Sequence, residues 1–305
     1  MKVRILTEPE IRALIGPSEA LEQVRHGFSA LGRGDVVLPE VMFLDLAQNQ
    51  GQVHGKGAYI KGEPHFSIKV ASGLYRNPER GLPVSFGVVW VFDATTGFLD
   101  TVLFDNGYLT ELRTGAAGAL ATDLLAREDV HRIAVIGCGG QARYQLDAHL
   151  RVRRPERVLV HCRTPEHASR YATEMSAAHG VPVDIAGSAA EAVRGSDVIV
   201  TCTPSRQPVV ADKWISDGTS LQIDERVGQQ FFAPLFARAR ESAVTALGAA
   251  RFAAAFDAGR HSSRSRAIRL ALDQPAPSAA GASPGAEMGM LAGERLKWRC
   301  WSPRA

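Results

Sequence analysis

One stretch constrains this chain more than any other: Arg132-Ile133-Ala134-Val135-Ile136-Gly137-Cys138-Gly139-Gly140-Gln141-Ala142. An apolar run enters it, a glycine cluster turns it, and a helical pattern leaves it. That order reads as a buried parallel strand, a tight loop and the N-terminus of a helix. Loop amides and the helix dipole together make a site for a pyrophosphate. The spacing Gly137-x-Gly139-x-x-Ala142 is the glycine/alanine form of the dinucleotide fingerprint, and it has the strand before it and the helix after it that the fingerprint requires. Gly137, Gly139, Gly140, Gln141 and Ala142 are therefore candidate cofactor-binding residues. A plain strand–loop–helix without a ligand is the alternative.

The chain beyond the loop repeats this strand–helix alternation. Arg132–Ile136, Arg157–His161, Pro182–Ile185 and Asp197–Thr201 read as strands. Gln141–Leu150, Pro165–His179 and Ala189–Val193 read as the helices between them. Alternation of this kind implies a parallel, doubly wound sheet with right-handed crossovers. Thr201 and Thr203 fall at the carboxyl end of a strand, where open α/β sheets place ligands. Arg163 closes the second strand 21 positions after Ala142. A site for NAD has an acid about there to hold the ribose 2′-hydroxyl, whereas Arg163-Thr164 offers a cation and a hydroxyl. Those two suit a 2′-phosphate, so the reading is NAD or NADP with a leaning to NADP. An arginine that stacks on adenine without choosing between them is the alternative.

The first third of the chain has a different pattern. Residues 3–6 read as a strand, and Glu8–Leu14 and Ser18–Leu31 as helices. Val36–Leu38, Val41–Leu44, Gly57–Ile60, Phe66–Val70, Val84–Phe92 and Leu99–Phe104 are strand-like, the last two joined as a hairpin by Thr95-Thr96-Gly97. This is an α+β region on a largely antiparallel sheet. The run Asp105-Asn106-Gly107-Tyr108-Leu109-Thr110-Glu111-Leu112-Arg113-Thr114 then leads into an alanine-rich helix to about Ala126, with Thr110 as its N-cap. Arg113 in the first turn would oppose the helix dipole, which points to an anionic partner. A solvated arginine with no role is the alternative.

Bulk properties narrow the classes. The formal net charge of +3 over 305 residues gives no argument for nucleic acid, and no apolar run is long enough to span a bilayer. The N-terminus lacks the long apolar core of a signal peptide, so the expected location is the cytoplasm. The four cysteines are Cys138, Cys162, Cys202 and Cys300. The first three lie in or beside strands without metal-ligand spacing and are expected to be reduced core or pocket-wall residues, with no metal site.

With these residues in view, the chain resembles the ornithine cyclodeaminase/mu-crystallin family from about residue 2 to about residue 239. The motifs that carry the resemblance are Phe66-Ser67-Ile68-Lys69-Val70, Gly81-Leu82-Pro83, the run from Asp105 through Leu109-Thr110-Glu111-Leu112-Arg113-Thr114-Gly115-Ala116-Ala117, and the glycine loop. The wording Asp105-Asn106-Gly107-Tyr108-Leu109-Thr110 is similar to members encoded with ectoine-utilisation enzymes. The resemblance implies an N-terminal substrate-binding and dimerisation domain at 1–127 and a Rossmann NAD(P)-binding domain at 128–239. It implies a homodimer acting on a small amino or imino acid, with neither nucleic acid nor membrane as partner. Lys69 matches the family's lysine near the substrate carboxylate, in a catalytic and binding role. Arg113 matches the arginine that also holds that carboxylate. Thr114 goes with the cofactor-binding residues. Asp224 aligns with the catalytic aspartate, allowing a short gap.

Two positions depart from the ornithine-specific pattern. Met42 stands where such members have another arginine, and Lys56 falls where they have an acid for the distal amine. Both argue against ornithine and suggest an acidic or short side chain. Past residue 239 the resemblance ends. Residues 240–305 form a divergent tail, Arg-, Ala- and Ser-rich and then rich in Pro, Gly, Ala and Ser, whose composition suits irregular chain. A change of reading frame near residues 222–245 would explain it, and sequencing the encoding DNA tests this. Three readings stand: a cyclodeaminase-like lyase that recycles NAD(P) with ammonia loss, a ketimine reductase or amino-acid dehydrogenase on the same scaffold, and an inactive NADP(H)-binding member.

Overall fold

The computed structural model describes residues 2–205 and 207–223. Asp224 and the expected tail at 240–305 lie outside these residues. The described chain divides into two compact units, one ending at Ala116 and the other starting at Ala117.

The first unit is built on a mixed sheet. Its elements are β1 (Arg4–Thr7), α1 (Glu8–Leu14), α2 (Pro17–Arg33), β2 (Val36–Val37), β3 (Met42–Leu46), β4 (Gly51–Ile60), β5 (His65–Leu74), β6 (Ser85–Asp93) and β7 (Leu99–Phe104), followed by the start of α3 (Tyr108–Leu125). The strand order is β1-β7-β6-β5-β4-β2, with β3 also paired to β4. Only β1 and β7 run parallel. Local chemistry sets the element ends. The Glu10 carboxylate accepts from the backbone N–H and hydroxyl of Thr7 at 2.7 and 2.6 Å and opens α1. Gly34 at φ +81° closes α2. At the β6–β7 hairpin the Asp93 carboxylate accepts from the N–H groups of Thr95 and Thr96, and Gly97 takes φ +72°.

Two expectations here need correction. β4 begins at Gly51, six residues before the strand read at Gly57, because Gly51 to Ala58 pair continuously with β5. Thr110 is not the cap of α3. The helix starts at Tyr108, and Asp105 caps it by accepting the N–H of Leu109 at 2.9 Å. Arg113 is thus the sixth helical residue, in the second turn.

The second unit is an α/β Rossmann fold, as read from the alternation. It comprises β8 (Arg132–Ile136), α4 (Gly140–Val152), β9 (Arg157–His161), α5 (Pro165–His179), β10 (Val183–Ile185), α6 (Ala189–Val193), β11 (Val198–Thr201) and β12 (Ser220–Ile223). All five strands are parallel in the order β10-β9-β8-β11-β12. The central strands are buried on both faces, which is why β8 and β11 read as apolar runs, while β10 at the edge leaves Asp184 and Ile185 exposed. Ile133, Val135, Val158 and Val160 pack on one side with Leu146 and Tyr171. Ala134, Ile136, Leu159 and Ile199 pack on the other with Ala192 and Val193. The order reverses between β8 and β11, which is where such sheets open a crevice for a ligand.

Candidate functional site

The glycine loop sits at that reversal. Gly137 leaves β8 at φ +106°, and its N–H donates to the carbonyl of His161 at 2.8 Å. A Cβ on Gly137 would lie 2.3 Å from the carbonyl oxygen of Cys202, so no other residue fits the turn. Gly139 then caps α4. A Cβ on Gly139 or Gly140 would meet no atom within 4 Å. The loop therefore faces open space at the N-terminus of a 13-residue helix, a cradle of the kind a pyrophosphate fills. Gln141 and Ala142 are buried in the first turn. Tyr171 donates to the Ala142 carbonyl at 3.1 Å, and burial, then the neighbouring Cys202, push its phenol far above the usual tyrosine range.

Arg143 belongs to this site and was not singled out from the sequence. Its guanidinium donates to the carbonyls of Cys138 and Gly139 at 2.9 and 3.1 Å and pairs with Glu174, to which its Nε donates at 2.8 Å. With those carbonyls held by Arg143, the loop presents N–H groups rather than oxygens to an anion. Only the distance from the helix start marks Arg143 in the sequence, and that is a weak signal.

The cysteine expectation is overturned. Cys138 and Cys162 are joined by a disulfide with Cα atoms 6.0 Å apart, and Cys202 alone among the described cysteines stays outside a bridge. Strand reading placed each cysteine at an element end but could not pair them. The ends of β8 and β9 become neighbours only when the sheet forms. Next to Cys162, the Arg163 side chain is exposed and makes no hydrogen bond or ion pair with the described residues. Thr164 caps α5 through its backbone. Thr201 is buried, its hydroxyl donating to the Gln222 carbonyl at 3.4 Å, and Thr203 accepts from the Ser205 N–H at 3.2 Å.

The first unit gathers the other candidates. Lys69, half-buried on β5, donates from its ammonium to the Thr110 hydroxyl at 3.0 Å. Thr114 turns its own hydroxyl back onto the Thr110 carbonyl at 2.6 Å. Lys69, Thr110 and Arg113 line one cavity of about 250 Å³ whose other walls are mainly apolar, from Ile15, Ala20, Val24, Leu109 and Leu112. Two cations on a largely apolar wall make a binding place for a small carboxylate. Lys56 lies directly opposite Lys69 across the β4–β5 ladder, hence on the same face of the sheet, while Met42 pairs with Gly55 on β3. Asp224 is outside the described residues. No group of His, Cys, Asp or Glu among the described residues could hold a metal, and no described helix is long and apolar enough to cross a membrane.

Comparisons with known proteins give the family and the fold. The description of the ornithine cyclodeaminase/mu-crystallin family matches residues 1–232. A Rhizobium meliloti protein that carries a dehydrogenase name is 38% identical over 218 residues, covering 71% of this chain and 66% of its own. Thermococcus litoralis Δ1-pyrroline-2-carboxylate reductase, solved with NADH and L-proline, superposes with a TM-score of 0.70 at 31% identity, over 74% of this chain and 71% of that one. A lysine cyclodeaminase, solved to explain recognition of L-lysine, L-ornithine and L-2,4-diaminobutyric acid, superposes with a TM-score of 0.65 at 32% identity, over 73% and 67%. The chain spans about two thirds of the length of the curated relatives it matches.

Proposed function

This chain belongs to the ornithine cyclodeaminase/mu-crystallin family, and we propose that it transfers a hydride at the Cα of a small amino or imino acid with NAD(P) as the hydride carrier. The observation that carries the reading is the convergence of Lys69 and Arg113 on one cavity. Arg113 would take the carboxylate in a bidentate grip and Lys69 would fix its second edge, leaving Cα oriented for reaction. Gly137, Gly139, Gly140, Gln141 and Ala142 would hold the pyrophosphate. The nicotinamide supplies the chemistry of accepting and returning a hydride. The exposed Arg163 beside Thr164 supports NADP over NAD, since a guanidinium in open solvent is available to a 2′-phosphate.

In the cyclodeaminase-like form of this reaction the hydride returns and ammonia leaves. The second reading is a net oxidoreductase, a ketimine reductase or amino-acid dehydrogenase. It is favoured by Lys56, which brings an ammonium to the face of the sheet that carries Lys69. A substrate ammonium reaching that face would be repelled, and cyclodeamination needs such a distal amine. A homodimer in the cytoplasm accompanies both readings. The exposed apolar side chains of Ile5, Met42, Phe43, Leu44 and Phe104 in the first unit support an interface there.

The test is a screen of amino and imino acids with NAD and NADP, following ammonia and reduced-nicotinamide absorbance together. Ammonia without net absorbance change identifies the lyase, and net change identifies the oxidoreductase. Neither signal with any substrate leaves a binding protein and refutes the enzyme. Lys69→Ala retaining activity would place the site elsewhere.

A further inference from the structure

The disulfide joins the two chain segments that a dinucleotide would touch first. Cys138 stands inside the loop, between Gly137 and Gly139, and packs against the core beneath it. Cys162 directly follows β9 and directly precedes Arg163. The bridge thus links the pyrophosphate loop to the segment proposed for the ribose, across a sequence separation of 24 that spans α4. Both cysteines are half-buried, within reach of small solutes.

Three of the four residues from 137 to 140 are glycine. Glycine loses more conformational freedom on ordering than any other residue, so this loop is costly to hold in one shape. Gly137 is tied by its N–H to His161, and Arg143 holds the Cys138 and Gly139 carbonyls. The covalent tie at Cys138 fixes the only side chain in that run. That side chain packs against the core and is bonded to Cys162. Neither sulfur comes within 4 Å of a Cβ placed on Gly140, so the bridge leaves that part of the cradle clear.

We propose that Cys138 and Cys162 are a thiol–disulfide site that controls dinucleotide affinity. Oxidised, the pair preorganises the loop and binding is tight; reduced, the loop loosens and binding weakens. The inference rests on the dinucleotide reading given above. The oxidant is a low-molecular-weight disulfide such as oxidised glutathione. One cysteine thiolate attacks it, forms a mixed disulfide and expels one glutathione thiolate. The second cysteine thiolate then attacks the protein sulfur and expels the other. The two protein thiols lose two electrons and two protons in all, and one glutathione disulfide becomes two glutathione thiols.

The full-length chain is equilibrated in glutathione buffers of graded redox poise, then assayed by unreduced tryptic mapping and by NADPH and NADH fluorescence titration. The oxidised protein is expected to yield peptides 133–143 and 158–163 linked together. Its NADPH dissociation constant is expected to be about fivefold lower than that of the reduced protein. Cys162→Ser should bind like the reduced protein in every buffer. Absence of the linked peptides overturns the proposal while leaving dinucleotide binding intact. So does a linked pair whose affinity is equal or weaker, or a Cys162→Ser protein that still responds to the buffer. Binding in neither redox state overturns the dinucleotide reading and the proposal with it.

Discussion

The Lys69 ammonium and the Thr110 hydroxyl meet at 3.0 Å, which ties strand β5 to the first turn of α3. A lysine side chain carries about 2 kcal/mol of rotamer entropy, and this bond removes part of it ahead of the carboxylate binding proposed above. Thr110 is thus a positioning residue for the ammonium. Thr110→Ala is expected to lower kcat/KM about tenfold, mostly through KM, as for loss of one charge-assisted hydrogen bond. Thr110→Ser, which keeps the hydroxyl, should recover most of the loss. Steady-state kinetics of both variants decide the matter: if Thr110→Ala matches the parent, the hydroxyl does not position Lys69.

Arg163 is exposed two residues past the end of β9. On the NADP reading proposed above, replacing it with Asp would exchange the cation for a 2′-hydroxyl acceptor. The ratio of NADPH to NADH affinity is expected to fall about tenfold or more in Arg163→Asp. Fluorescence titration of both cofactors measures it. Equal losses for the two would mean that the guanidinium stacks or packs without reading the 2′ position.

The Rossmann unit was legible because its central strands are buried on both faces and its helices carry an apolar period of their own. Pro165–His179 and Ala189–Val193 were readable to the residue. The antiparallel sheet was harder. β4 contains Gly51, Gly55 and Gly57, which hide its period, so its first half is visible only through its pairing with β5. At the site, Gly137, Lys69 and Arg113 each had a local or motif-level signal. Arg143 had only its distance from the helix start, and the Cys138–Cys162 bridge and the Lys56–Lys69 juxtaposition had none, since both depend on which segments the sheets bring together. The Thr110 side chain suits a cap, but Asp105 takes that role and leaves the threonine hydroxyl to accept from Lys69.

Gly137 and Gly139 should respond differently to the same substitution. A Cβ on Gly137 would press to 2.3 Å on a backbone carbonyl, at φ +106°. Gly137→Ala is expected to cost about 2–3 kcal/mol of stability and to abolish dinucleotide binding. A Cβ on Gly139 would meet nothing, so Gly139→Ala should keep the parent's thermal midpoint within a degree or two. It should still weaken dinucleotide binding, because its methyl occupies the cradle. Thermal unfolding and cofactor titration of the pair test this, and a Gly139→Ala protein with parental affinity would remove the phosphate from the space above that residue.

His149 makes the stability of the second unit depend on pH. It is fully buried on α4, with Nδ1 2.7 Å from the Gln145 carbonyl and Nε2 without a hydrogen-bond partner among the described residues. The carbonyl fixes the proton on Nδ1. A second proton on Nε2 would put a charge where none of the described residues accepts it. Burial accordingly holds the imidazole down to about 4, well below the ordinary histidine value. The unfolded chain titrates near pH 6.5, so between that value and about 4 it binds more protons than the native state. Stability is therefore complete above pH 6.5 and declines as the pH falls through this window, by about 3 kcal/mol over its full width. Urea unfolding at pH 7 and pH 4.5 should show most of that loss in the parent, and His149→Leu should show a correspondingly smaller one. Equal losses in the two proteins would mean that the acid sensitivity arises from other groups.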